Sequence, residues 1–178
     1  MKILRELEKT KSKYWNIGPK LGLFLNQLII CENFKHVLEI GTSNGYSGIW
    51  MAMALKQTKG KLTTIESHKE RFKLAQTNFF KSGLSKFINQ IKGHAPEDIP
   101  KEHKNFDMAF FDATKYEHIS YFQEISNRIK KGGLIITDNT ISHTEDLKDY
   151  LKHIKSQPDW EIFNFNVGTG IAIARKLQ

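Results

Sequence analysis

Three short segments concentrate the residues whose types and spacing could do chemistry. The first is Val37–Gly48, VLEIGTSNGYSG, an apolar run entering a glycine-rich turn that opens a helix. Gly41 and Gly45 let the backbone turn sharply and approach a ligand, while the helix start offers free N–H donors. A pyrophosphate fingerprint needs glycines at its first, third and sixth positions. Here Gly41, Gly45 and Gly48 leave Ser43 in the middle slot, and Glu39 would repel phosphate, so a carboxylate there suits a cationic ligand. A nicotinamide-dependent oxidoreductase is disfavoured on the same spacing. Glu66 closes the next strand, 21 residues after Gly45, where a carboxylate commonly accepts hydrogen bonds from two ribose hydroxyls.

The second and third segments are Phe110–Lys115, FFDATK, and Thr137–Asn139, TDN. Both follow β-rich runs, so Asp112, Asp138 and Asn139 should emerge at one edge of a sheet, the same edge as the glycine turn. These are hard oxygen ligands of the kind magnesium prefers, with calcium or manganese as alternatives, and three of them leave positions for water and substrate oxygens. No His and Cys cluster suits structural zinc. Lys115, three residues after Asp112, puts an amine beside that metal site, where it could take a proton from a hydroxyl.

Elements to position these residues can be read from periodicity. Candidate strands run over 36–40, 62–65, 87–91, 106–111 and 134–137, and helices over 46–57, 69–82 and 116–130, with Gly83 and Gly132-Gly133 as stops for the last two helices. Alternation of this kind builds a parallel sheet covered by helices. Further on, a helix over 144–155 leads to strands at 160–165 and 171–174 joined by a glycine turn, a predicted hairpin. Two helices, 3–14 and 19–30, precede the first strand. The expected organisation is one domain, with N-terminal helices over 1–33 and a catalytic core over 34–178.

Bulk composition agrees with one compact domain: 178 residues, 39% hydrophobic. Cys31 has no partner, which predicts a reducing, cytoplasmic home without disulfides. No apolar run approaches membrane-spanning length, and the charged start is unlike a signal peptide, so no membrane partner is expected. A formal charge of +8 raises nucleic acid as a partner, but lysines are spread over nearly every helix and only four arginines occur. Solvated lysine-rich faces are the favoured reading.

The Val37–Gly48 segment resembles the first motif of class I S-adenosylmethionine-dependent methyltransferases. With Asp112-Ala113-Thr114-Lys115 and Asp138-Asn139, the chain from about Gly18 to Lys176 is similar to the metal-dependent O-methyltransferases of the catechol and caffeoyl-coenzyme A type. The resemblance implies an α/β, Rossmann-like, doubly wound, seven-stranded, mostly parallel sheet with a C-terminal antiparallel hairpin. It implies that S-adenosylmethionine is held by Glu39, Gly41, Thr42, Ser43, Gly45 and Ser47, then Glu66, Ser67 and His68, then Gly93, His94 and Ala95, with Asp112 at the boundary. It implies a metal on Asp112, Asp138 and Asn139, Lys115 as the base, and transfer to a hydroxyl of a small acceptor. Thr114 replaces an aspartate usual in the family and His118 a tyrosine, and the segment after Asn139 is short, which opens the acceptor side and leaves His143 near it. A homodimer is implied too, although the short N-terminus removes part of the reason for one. Two alternatives stay open: a macromolecular acceptor such as RNA reached through an open site, and a non-catalytic S-adenosylmethionine-binding module.

Overall fold

The computed structural model describes residues 2–102 and 105–178. Seven strands form one sheet in the order β3-β2-β1-β4-β5-β7-β6. They are β1 His36–Ile40, β2 Lys61–Glu66, β3 Ile88–Lys92, β4 Phe106–Phe111, β5 Ile129–Asp138, β6 Trp160–Phe165 and β7 Ile171–Lys176. The first five pair in parallel, and β7 runs antiparallel to both β5 and β6, so the seven-stranded sheet and hairpin expected from the sequence are both present.

Side chains alternate along the strands, so the central ones contribute to two cores. Val37, Leu62, Met108, Phe110 and Ile136 face the first core. It is covered by α1 (Lys2–Glu8), α3 (Pro19–Cys31), α4 (Tyr46–Thr58) and α5 (Lys69–Ser82). Leu38, Ile40, Ile65, Ala109, Phe111 and Ile135 face the second, covered by α6 (His118–Ile125) and α7 (Thr144–Lys155). Helices on both faces explain why the central strands read as continuous apolar runs.

Two elements depart from the sequence expectation. The helix predicted over 3–14 breaks after Glu8 and resumes as α2, Lys11–Tyr14. Thr10 causes the break: its N–H and its hydroxyl both donate to the Leu7 carbonyl, at 3.0 and 2.9 Å, in place of a helical ladder. The helix predicted over 116–130 begins as a 3₁₀ turn, Lys115–Glu117, and ends at Ile125 with a second such turn, Ser126–Arg128. Gly132-Gly133 is not its stop but lies inside β5. Ile129 pairs with Phe106, and the register then shifts before Met108 meets Leu134. Gly132 takes φ +77°, and a Cβ on Gly133 would come within 2.7 Å of Ile129 Cγ2 and 2.9 Å of the Asp107 carbonyl, so the glycines serve a bulge.

The strand order reverses direction between β1 and β4. In open α/β sheets, ligands bind at the carboxyl ends of the strands beside such a switch. Gly41, Glu66, Asp112 and Asp138 all follow or end strands at that edge.

Candidate active site

The glycine turn is built by backbone conformations that most side chains resist. Gly41 has φ +102°, and a Cβ there would sit 2.4 Å from the Asp112 carbonyl oxygen. The turn after β1 is therefore pressed against the end of β4, which brings the ligand-holding loop and the Asp112 loop together. Gly45 has φ +85°, and its missing Cβ leaves room for Phe79 of α5, whose Cε1 would otherwise be 2.6 Å away. Ser43, at φ +48°, donates its N–H to Glu66 Oε2 at 2.8 Å, and the His68 N–H donates to Glu66 Oε1 at 2.8 Å. Two backbone donors thus fix the Glu66 carboxylate, leaving lone pairs for a ligand.

These loops surround a cavity of about 460 Å³, a size suited to a small-molecule ligand. Of the residues assigned to the cofactor, Gly41, Ser43, Glu66, Ser67, Gly93, His94, Ala95 and Asp112 line it. Glu39, Thr42, Gly45 and Ser47 lie behind the wall, and His68 is exposed to solvent outside it. Strand alternation explains Glu39: it shares parity with Val37, so its side chain turns beneath α4, where the hydroxyls of Ser47 and Thr64 donate to its two oxygens. Fully buried, Glu39 is pushed up by desolvation to about 8, which those two hydrogen bonds oppose. Thr42 is buried with its hydroxyl 2.5 Å from that of Thr64, and His68 caps the start of α5 on the outside.

Beyond the glycine turn stand the oxygen ligands. Lys115 Nζ lies 3.2 Å from Asp112 Oδ1, and both line the cavity. Asp138, 2% exposed, sits just behind, its Oδ1 accepting the Asn139 N–H at 2.7 Å and the Thr169 hydroxyl at 2.8 Å. Burial raises the pKa of both aspartates; Lys115 opposes the rise at Asp112, and Asp138 adds to it. Asn139 takes φ +69°, a conformation Asn tolerates better than most, and faces the cavity. The Oδ2 atoms of Asp112 and Asp138 take no hydrogen bond among the described residues. Two crowded carboxylates with an open oxygen each, next to an amide, are what a hard divalent cation would relieve. Among the described residues no three His, Cys, Asp or Glu side chains cluster as a metal site, so the candidate set depends on Asn139.

Several contributors have no local signature. Thr169 reaches Asp138 from the turn between β6 and β7, across 31 residues. Tyr14, Trp15, Arg71 and Tyr121 also line the cavity. The N-terminal segment is strapped over the site: the Ser43 hydroxyl donates to the Tyr14 carbonyl at 2.9 Å, the Tyr46 hydroxyl to Glu8 at 2.8 Å, and Arg71 lies 4.8 Å from the Trp15 ring centre. His118, in the place of the family's tyrosine, is buried among Phe111, Tyr121 and Tyr150, and its Nδ1 meets the Thr114 carbonyl at 3.0 Å. Burial lowers it to about 3, so the neutral ring donates that hydrogen bond and steadies the turn before Lys115. His143 lines the cavity beside Asn139 while contacting Asp146 at 2.9 Å.

The doubly wound sheet is a fold shared with methyltransferases of known structure. The O-methyltransferase of Bacillus cereus, solved in complex with S-adenosylhomocysteine, superposes with a TM-score of 0.89 at 23% identity, covering 99% of this chain and 91% of that one. The chain belongs to the O-methyltransferase family, whose model matches residues 1–177. It is 30% identical to caffeoyl-CoA O-methyltransferase 2 of Petunia hybrida over 100% of this chain and 84% of that protein. It is 36% identical to the catechol O-methyltransferase of Niastella koreensis over 71% of this chain and 58% of that protein. The chain is thus an O-methyltransferase. No helix among the described residues is long and apolar enough to cross a membrane.

Proposed function

We propose that the protein transfers the methyl group of S-adenosylmethionine to a hydroxyl of a small, catechol-like acceptor held beside a divalent metal, magnesium in the first instance. The observation that carries this reading is the convergence of the Glu66 carboxylate, the Lys115 amine and Asp112 on one cavity, with the buried carboxylate of Asp138 directly behind its wall. The names of the relatives, which include catechol and caffeoyl-CoA enzymes, support the same acceptor class.

Glu66, fixed by two backbone N–H groups, accepts the ribose hydroxyls, and the open backbone at Gly41 admits the methionine part. Asp112, Asp138 and Asn139 would hold the metal. When bound, the metal acidifies the acceptor hydroxyl and orients it. Lys115 Nζ takes the hydroxyl proton; the oxygen attacks the methyl carbon, the O–C bond forms, and the sulfonium S–C bond breaks to leave S-adenosylhomocysteine. Placement of the two reactants in line supplies much of the acceleration.

Methyl transfer from labelled S-adenosylmethionine to a panel of catechols, with magnesium or with a chelator, tests this reading. Chelation should abolish transfer. Lys115→Ala should lower kcat by about 10²- to 10⁴-fold, and Asp138→Ala should abolish the magnesium-dependent transfer. A wild type that binds the cofactor but methylates no catechol under either condition would sink the small-acceptor reading and favour a macromolecular acceptor or a non-catalytic role.

A further inference from the structure

His94, Glu117 and Tyr121 make a bridge at one end of the cavity that the proposed chemistry does not use. Glu117 ends the 3₁₀ turn that begins at Lys115, and each of its carboxylate oxygens is engaged. Oε1 lies 3.0 Å from His94 Nε2, and Oε2 accepts the Tyr121 hydroxyl at 2.6 Å, a short charge-assisted contact. The two partners come from different parts of the sheet edge: His94 from the loop after β3, Tyr121 from α6, both on the cavity wall.

Each member is fixed differently. The His94 backbone is pinned on its own account, its N–H donating to Asp98 Oδ2 at 2.7 Å, so Glu117 governs the imidazole ring alone. That side chain is 51% exposed, and no other polar contact orients it among the described residues. Tyr121 is 1% exposed, and Glu117 is an acceptor for a hydroxyl that would otherwise be buried at a cost. A single carboxylate therefore ties a half-exposed ring on one loop to an immobile residue in the second core.

We infer that Glu117 is a latch at the adenine end of the cofactor cavity, tying His94 to Tyr121 so that the wall facing the purine is held in place, and thereby setting how tightly the cofactor is kept. The inference rests on the proposed function together with the family resemblance, which implies that Gly93, His94 and Ala95 frame the adenine of the cofactor. Glu117 is a positioning residue here, acting through His94.

The test is calorimetric titration of S-adenosylhomocysteine, and of 5′-methylthioadenosine, which keeps the adenine and ribose but lacks the amino-acid end. Both are titrated into wild type, His94→Ala, Glu117→Ala, Glu117→Gln and the His94→Ala/Glu117→Ala double variant. Each alanine variant should weaken both ligands by about tenfold, the scale of one hydrogen bond to a charged group, and the double variant should be no worse than the weaker single. Glu117→Gln, which keeps one acceptor oxygen, should recover part of the loss. In turnover, KM for the methyl donor should rise by more than kcat falls. His94→Ala, at an exposed side chain, should leave the unfolding temperature of the free protein in place. Unchanged affinities, or losses that multiply in the double variant, overturn the latch while the cofactor reading stands. A wild type that binds neither ligand overturns the cofactor reading, and the latch with it.

Discussion

Glu39 and Glu66 stand on adjacent strands, each near a strand end, yet their surroundings give them opposite work. Glu66 meets backbone donors at the open edge and keeps lone pairs for a ligand. Glu39, one parity step away from the cavity, is enclosed and held up to about 8 by desolvation. Its pKa is higher in the folded chain than in the unfolded one, so the folded state binds the extra proton and stability falls as pH rises from about 4.5 to about 8. Below that window Glu39 is neutral in both states, and above it the cost is constant, about 5 kcal/mol. Glu39→Gln keeps the shape and removes the titration. Urea unfolding of the ligand-free protein at pH 5 and pH 8 should show the wild type losing several kcal/mol more than the variant. Parallel losses would mean that Glu39 carries its charge in both states.

Turns decide the site at the scale of elements. The β1 turn and the β4 loop approach so closely that only a glycine fits at position 41, with the Asp112 carbonyl where a Cβ would be. Gly41→Ala should cost about 3 kcal/mol, combining an unfavourable φ with a backbone clash, and should displace Asp112 enough to slow methyl transfer. Gly83 provides the control. It also has positive φ, at +70°, but its Cβ would meet nothing within 4 Å, so Gly83→Ala should cost only about 1 kcal/mol. Chemical denaturation of both variants checks the difference. Equal costs would show that the contact between the β1 turn and Asp112 is loose.

Across the whole molecule, the N-terminal helices serve both the core and the cavity. Ile3, Leu4, Leu7 and Ile17 are buried with α3 and α4, while Tyr14 and Trp15 close over the glycine turn. Substitutions should separate the two roles. Leu4→Ala, at a side chain 3% exposed, should destabilise the protein by about 2–4 kcal/mol. Trp15→Ala, at 68% exposure, should leave stability nearly unchanged but speed release of S-adenosylhomocysteine about two- to fivefold, the worth of its stacking on Arg71. Stopped-flow displacement and thermal unfolding read the two effects. If Trp15→Ala lowers the unfolding temperature as much as Leu4→Ala does, the segment is only part of the core.

Local patterning was enough to read the sheet, because buried parallel strands leave uninterrupted apolar runs and each helix leaves its own period. It was enough, too, for the positions of Gly41, Glu66, Asp112, Lys115, Asp138 and Asn139, since strand ends and turn glycines are marked by neighbouring residues. It misjudged the element after Lys115, where pairing of Ile129 with Phe106 overrode helical periodicity and put Gly132-Gly133 in a bulge. Only the tertiary structure turned Glu39 away from the cavity, brought Thr169 onto Asp138, laid Trp15 over Arg71 and joined Glu117 to His94 and Tyr121. The physical reason is range. A strand or a turn is dictated by residues a few positions apart, whereas a hydrogen bond spanning 31 residues, or a side chain's choice between two faces, is fixed by how whole elements are packed.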